Sequence, residues 1–349
     1  MFAQLQPIPR DIPLPLPLPE WFLISVLIIS FLIHILFVNL MVGGTFLTLL
    51  LEIVGLKNPR FNKLAKAIEA TVTVNKSLAI VAGVAPLLGI NTVYTIYFYS
   101  ANALTGYAWI SVVPLVIIAF LLLYLHKYTW EKYENKKVFH ISILSVAFLL
   151  FLFIPLIFLS NVNLMLFPED WASVKGFFST LFMGNVIFRY FHFLAGTLAV
   201  NGLFFFWYFG REKYSVEEHL PGFTKDELKK YAYKLTFYVT LSQLVFGTLN
   251  FFTLPWKGVN WTLAYVFISG IIIAAVAMFL LWKELKSGNL GKRFVVIATL
   301  ISVTVLFMGM GRHIYRKNVL EPHQKLVNER TMEYQKMKYE LLKDTLIKK

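Results

Sequence analysis

The sequence predicts an all-α fold: a polytopic membrane bundle of about eight transmembrane helices with both termini outside. Three observations lead to this prediction. First, apolar runs of about 20 residues or more recur along the chain, and each is long enough to cross a bilayer. Second, 58% of the 349 residues are hydrophobic, with 33 Phe and 17 Tyr, which is too apolar for a soluble domain. Third, the loops between the runs alternate between basic and almost uncharged.

The apolar runs define the spans to within several residues at each end. Pro86, Pro114 and Pro155 fall inside spans two, three and four and predict kinks, which membrane helices tolerate when neighbouring groups satisfy the freed carbonyls. The eight predicted spans are 21–56, 72–99, 107–126, 138–160, 186–209, 231–253, 261–282 and 294–312.

Loop charge gives the orientation. The loops after spans one, three, five and seven contain 4, 4, 5 and 4 Lys or Arg, whereas those after spans two, four and six contain 0, 1 and 1. Because Lys and Arg concentrate in cytoplasmic loops, the basic loops are predicted to be inside. The same loops account for the net charge of +14, so we expect membrane lipid and no nucleic acid as a partner.

Three further segments complete the predicted organisation around the transmembrane bundle over 21–312. Residues 1–20 are proline-rich and predict an extended extracytoplasmic segment. Within the long outer loop, aromatic and apolar residues at helical spacing predict an interfacial helix over about 168–182. Residues 313–349 are charged and have a weak apolar stripe, which predicts a helix outside the membrane. This helix is expected to contact a partner or a lipid headgroup surface, and the alternative is a helix surrounded by solvent.

His192 lies in the fifth span, where an ionisable side chain is expensive and therefore indicates a functional site. Ala195, Gly196 and Ala199 follow it on the same helical face, leaving the flat space that a macrocycle needs. The alternative is close helix packing with a buried histidine hydrogen bond. The chain contains no cysteine, so any haem is non-covalent and b-type, with its iron held by His or Met.

His34, His192 and His313 lie 23, 19 and 20 residues from the nearest basic residue of the adjoining inner loops, Lys57, Arg211 and Arg293. At 1.5 Å per residue these separations are about 34, 28 and 30 Å, near the outer edge of a hydrocarbon core of about 30 Å. Three histidines at one depth predict a cluster of two or more haems near the outer surface, with these residues as iron ligands.

Other residues at this level extend the predicted site. Met310 shares a face with His313 and offers a thioether as an alternative axial ligand. Arg189 and Arg312 are expected to pair with haem propionates or to extend to the interface. His126 and His140 flank basic residues and are interpreted as plain residues of the inner interface. Since no Asp or Glu lies at the centre of a span, we predict no proton route from the inner side.

Three segments resemble subunit I of the cytochrome bd quinol oxidases. His34-Ile-Leu-Phe-Val-Asn-Leu-Met-Val-Gly, followed by Glu52, is similar to the first helix of the family, whose His ligates an active-site haem. Arg189-Tyr-Phe-His192-Phe-Leu-Ala-Gly is similar to the fifth helix, whose His ligates the low-spin haem b. Gly311-Arg312-His313 stands where the family has G-R-Q-P-W. The resemblance implies haems at His34 and His192 and quinol as a substrate.

The chain also departs from this family. A short turn over 253–260 replaces the family's long quinol-binding loop, and the outer half of span seven, 261–270, lacks the family's Met ligand. Gly309 occupies the place of a glutamate ligand, and His313 replaces the motif Gln. By this comparison His313 is a candidate substitute for the missing Met as partner of His192; the alternative is that it replaces the family's Gln as a hydrogen-bond donor beside the iron ligands.

Three functions stay open at this point. The first is an electron-transfer cytochrome b in a bacterial or archaeal plasma membrane, linking the quinone pool to a periplasmic acceptor or donor such as a c-type cytochrome, together with other respiratory-complex subunits. The second is a terminal quinol oxidase subunit that reduces O₂ to water. The third is a non-redox transporter or scaffold whose histidines only pack.

Overall fold

The computed structural model describes residues 16–347, apart from the side chains of 74–77 and 341–347. Most of the predicted proline-rich segment 1–20 lies outside the described residues. The described part is entirely helical apart from turns and loops. Its longer helices are α1 Glu20–Gly55, α2 Pro59–Val93, α3 Thr95–Thr105, α4 Tyr107–Tyr128, α5 Lys137–Leu164, α7 Val186–Gly210, α9 Lys225–Phe252, α10 Trp261–Ser287 and α11 Phe294–Ile347, with one-turn helices α6 Phe177–Thr180 and α8 Val216–His219.

Within residues 16–347, seven helices are long and apolar enough to cross a membrane, and bent α2 makes an eighth if it is counted as one span. The chain is therefore a multi-pass membrane protein with the predicted all-α bundle fold. We call the end of the bundle that contains Gly55 and Tyr128 the inner end, following the predicted orientation.

The second span differs from its prediction over 72–99. Helix α2 begins earlier, at Pro59, where the Asn58 side chain accepts from the backbone N–H of Arg60 at the helix start and proline suits the first helical position. It bends by 41° between Pro59–Thr73 and Leu78–Val93, and Pro86 lies within the second of these continuous pieces. The chain then breaks at Tyr94 before α3 begins.

Helices that follow one another in sequence pack as neighbours. The main pairs are α1 with α2, α4 with α5, α7 with α9, and α10 with α11, as short connections between membrane helices favour. Helix α1 also contacts α5, α7 and α11. Its buried residues lie mainly in its second half, from Leu40 to Gly55, and this half therefore faces several other helices.

The expected continuous helix over 168–182 is not formed. The segment instead has a 3₁₀ turn, Pro168–Ser173, and the single turn α6. Gly176 between them has φ of +87°, a left-handed conformation that favours glycine and ends a helix. Trp171 is buried and donates its indole N–H to the Leu164 carbonyl at 3.0 Å, so this part of the loop packs on the bundle.

The C-terminal segment 313–349 is helical as predicted over its described part, but it is continuous with the last span rather than separate from it, because α11 extends from Phe294 to Ile347. Its first turns pack on the outer loops: His323 is buried, with Nδ1 3.1 Å from the Tyr97 hydroxyl. Val327 is also buried, whereas Tyr334 and Met337 further along are exposed.

Candidate functional site

His192 lies on α7 with its ring against α9. A methyl group added at Gly247 of α9 would lie 3.3 Å from Cε1 of His192 and 3.5 Å from its Nδ1. That Nδ1 is buried, and the imidazole has no hydrogen-bond partner among the described residues. A buried polar atom without a partner costs free energy, so this ring is a candidate for binding a group that the chain itself does not supply.

The α7–α9 interface is open at Gly196, one helical turn after His192, and tightly packed at Gly202. A methyl group at Gly196 would meet nothing nearer than Nε2 of Gln243 at 3.6 Å. At Gly202, by contrast, it would lie 2.2 Å from the hydroxyl oxygen of Thr236. Beside the open part is a cleft of about 320 Å³ between α1, α5, α7 and α9. Its lining is apolar and aromatic and includes Phe46, Phe148, Phe191, Leu194, Ala195 and Phe246.

His34 on α1 has one ring nitrogen fixed by the backbone of α2. Its Nδ1 lies 2.9 Å from the Ala79 carbonyl oxygen, and because a carbonyl only accepts, Nδ1 donates. This assigns the lone pair to Nε2. Histidines that bind metals commonly have this arrangement, in which the ring nitrogen that does not bind the metal donates its N–H to a backbone carbonyl. The ring lies on Gly83, where a methyl group would come within 2.8 Å of Cε1.

Gly309 and Arg312 of α11 face α1. A methyl group at Gly309 would lie 3.4 Å from Cδ2 of Leu32, and the guanidinium of Arg312 lies 5.7 Å from the centre of the Phe31 ring. Met310 is 41% exposed, and its role as an alternative axial ligand stays a prediction.

The structure does not bring the three outer histidines together. His34 packs on α2, His192 packs on α9, and no hydrogen bond or ring contact joins any two of His34, His192 and His313 within the described part of the chain. Gly196 faces α9, whereas Gly309 faces α1. Ligation of iron by both His192 and His313 stays a prediction.

Two arginines at the same outer level each have a buried nitrogen without a hydrogen-bond partner in the described part of the chain. Nη2 of Arg189, one turn before His192, is buried without a partner, and so is Nε of Arg316. Arg316 is only 8% exposed, and its guanidinium lies 4.9 Å from the centre of the Tyr94 ring. Among the described residues no carboxylate forms an ion pair with either arginine. Buried cations without a counter-ion are costly, so the pair fits an anionic group from outside the chain.

A second cluster, which the sequence analysis missed, lies at the inner end. It consists of Glu52 on α1, Glu69 on α2, His126 on α4 and His140 on α5, and all four are buried. Nε2 of His126 lies 2.9 Å from Oε2 of Glu52, and its Nδ1 contacts Oε1 of Glu69. Nδ1 of His140 lies 2.5 Å from Oε1 of Glu52, and its Nε2 lies 2.8 Å from the His126 carbonyl oxygen.

Aromatic and basic residues surround this inner cluster. The imidazoles of His126 and His140 stack with centroids 3.7 Å apart, and the Trp130 ring meets both edge-on. Nζ of Lys137 lies 3.9 Å from Oε1 of Glu52 and 4.9 Å from the centre of the Trp130 ring. The cluster therefore has a charged and aromatic cover on the side of the inner loops.

The interpretation of His126 and His140 as plain interfacial residues is wrong, because both are 0% exposed. Glu69 was placed in the loop before span two, but α2 begins at Pro59 and carries it into the bundle. One signal was available in the sequence: the predicted topology places Glu52, His126 and His140 at the inner ends of three different spans.

Comparison of the chain with protein-family models finds no match, and comparison with curated proteins finds no significant match. The resemblance to the cytochrome bd family therefore depends on the three short motifs alone.

Proposed function

We propose that this protein is a bd-oxidase-like membrane cytochrome b subunit that binds b-type haem near the outer membrane face. In this proposal it moves electrons between the quinone pool and a periplasmic redox partner, such as a c-type cytochrome, as part of a respiratory complex in a bacterial or archaeal plasma membrane. The observation on which it depends is the imidazole of His192, whose buried Nδ1 has no hydrogen-bond partner among the described residues and whose ring faces Gly247.

The residues around His192 fit a haem in three respects. The donor is an imidazole without a competing hydrogen bond, the type of ligand that haem iron takes. The cleft beside the open stretch of the α7–α9 interface has a mainly apolar lining. Arg189 lies one helical turn away, so a cation is available for a propionate. A bound b-type haem supplies a site that accepts and returns one electron.

The protein's own residues would define that site in different ways. His192 would hold the iron, and the phenyl rings of Phe191 and Phe246, which stack with centroids 5.8 Å apart, would keep water from it. Arg189 and Arg316 would compensate the propionate charge at the outer end. His34 is the candidate ligand of a further haem, since its Nδ1 donates to Ala79 and Nε2 keeps its lone pair.

The test compares two single-histidine variants of the purified full-length protein. His192→Ala is expected to lose one haem in the pyridine haemochrome assay, whereas His219→Ala, which alters an exposed histidine of α8, is expected to keep the wild-type content. Equal haem content in His192→Ala and wild type would refute the assignment. A wild-type protein without haem absorption would favour the transporter or scaffold alternative.

A second candidate function, a terminal quinol oxidase that reduces O₂, is favoured by one observation. The inner cluster contains two carboxylates and two imidazoles beneath the predicted cytoplasmic surface, and such groups build intramembrane proton routes. Oxygen consumption driven by a soluble quinol distinguishes this candidate: the oxidase consumes O₂, whereas the electron-transfer cytochrome is reduced by quinol but requires an added acceptor to turn over.

A further inference from the structure

With neutral imidazoles and ionised carboxylates, the inner cluster has fewer N–H donors than its contacts require, and added positive charge removes the deficit. A neutral imidazole has one N–H and one lone pair, and an ionised carboxylate only accepts. His140 gives its N–H to the His126 carbonyl, which leaves a lone pair of Nδ1 against Oε1 of Glu52. His126 has a carboxylate on each side but a single N–H to give. Two of the four contacts would therefore join lone pair to lone pair.

Two positive charges remove this conflict, and they also neutralise the two carboxylates. One source is a proton on each imidazole. The other is a single divalent cation placed where Nε2 of His126, Nδ1 of His140 and the Glu52 carboxylate converge. The ligand atoms of these three residues all lie within 4.8 Å of one another, a separation that coordination to one ion permits after small adjustments.

On the side away from Glu52, each imidazole makes the hydrogen bond that is typical of a metal-binding histidine. Metal ligands of this type usually give their second N–H to a carboxylate or a backbone carbonyl, which fixes the tautomer and the ring orientation. His126 has Glu69 in this position, and His140 has the His126 carbonyl. Glu69 would then act as a positioning residue, because it contacts His126 on the side away from Glu52.

We propose that Glu52, His126 and His140 form a binding site for one divalent transition-metal ion of the Zn²⁺ class at the inner end of the bundle. Two imidazoles and one carboxylate are the nitrogen and oxygen donors that such ions favour. Three protein ligands leave a further coordination position open for water. This site is separate from the outer haem region and does not depend on the proposed electron-transfer function.

Access to the site is from the side of the basic loops. Lys137 lies 3.9 Å from Oε1 of Glu52, its side chain is partly exposed, and it also lines a surface depression together with Asn135 and Lys136. An ion would pass this lysine and Trp130 to reach Glu52. The ammonium group opposes an incoming cation, so Lys137→Gln is expected to tighten metal binding several-fold.

The decisive experiment uses the wild-type protein in detergent, stripped of loosely bound metal and titrated with Zn²⁺ by calorimetry in buffers of different ionisation enthalpy. We expect one tight equivalent whose binding releases about two protons, because the ion replaces the two protons that otherwise balance the carboxylates. Absence of a tight equivalent, or binding without proton release, would overturn the proposal and would indicate a cluster that holds protons only.

Variants locate the site. Glu52→Gln and His140→Gln are each expected to lose the tight equivalent, and Glu69→Gln is expected to weaken it by about 10- to 100-fold because His126 loses its orienting partner. The control is His219→Gln, an exposed histidine on α8, which should retain wild-type binding. If Glu52→Gln retains the tight equivalent, the ion binds elsewhere. Haem content measured on the same samples reports separately on the proposed function and on folding.

Discussion

Oε1 of Glu52 lies 2.5 Å from Nδ1 of His140, although the two residues are 88 positions apart in the chain. The contact joins the last turn of α1 to the first turn of α5, and His126 extends it to α4 and α2 through Glu52 and Glu69. Four helices are thereby held at one level of the bundle by side chains that are fully or almost fully buried.

The first prediction concerns the stability of the inner cluster. Glu52→Gln removes the carboxylate that both imidazoles contact. The positive charge that balances this carboxylate, from protons or from a metal ion, then has no counter-charge, so we expect a loss of about 3 kcal/mol in the free energy of unfolding. Thermal unfolding in detergent, followed by tryptophan fluorescence, measures it. The matched control is Glu131→Gln: its side chain is 82% exposed and pairs with Lys66 at the surface, where ion pairs contribute little. A wild-type melting curve for Glu52→Gln would contradict the prediction.

The second prediction uses two glycines of α7. At Gly202 an added methyl group would lie 2.2 Å from the Thr236 hydroxyl oxygen and 2.8 Å from the Ala232 carbonyl oxygen, so Gly202→Ala must push α9 away. Overpacking of this kind costs about 1–3 kcal/mol. At Gly196 the nearest atom is 3.6 Å away, and Gly196→Ala should be tolerated. Comparison of the two melting temperatures tests this, and equal destabilisation would show that α7 and α9 pack differently.

The third prediction concerns orientation. If both termini are outside, a reporter that is active only in the cytoplasm should be silent when fused after Lys349 and active when inserted into the loop 211–224. The physical reason is the concentration of Lys and Arg in alternate loops. The reverse pattern would place the Glu52 cluster at the outer face and would remove the depth argument for His34, His192 and His313.

The fourth prediction distinguishes the two roles of His313. If it ligates the iron opposite His192, His313→Met should keep a six-coordinate haem and raise its reduction potential, because His/Met ligation has a higher potential than bis-His ligation. Redox titration with visible spectroscopy measures both properties. A low-spin spectrum and unchanged potential in His313→Ala would instead assign His313 a hydrogen-bonding role. That result would agree with the packing of α11 against α1 rather than against α7.

The sequence alone determined the class of the protein. Hydrophobic runs of bilayer length have few stable alternatives, because every backbone polar group in lipid must be satisfied within a helix. The bundle and the approximate positions of its spans followed from that constraint. The start of α2 at Pro59 did not, because Lys63, Lys66 and Glu69 gave its first turns the composition of a loop. The break at Gly176 was also missed, since periodicity gives no information about a single left-handed residue.

The tertiary structure decided which ionisable residues meet. The sequence placed His34, His192 and His313 at one depth, but depth does not specify which face of a helix a side chain occupies or which helix lies opposite. Packing turned His34 towards α2 and His192 towards α9. The same packing brought Glu52, Glu69, His126 and His140 from four helices into one buried network. No local pattern encodes that network, because the free energy of burying these charges becomes acceptable only when all four groups are together.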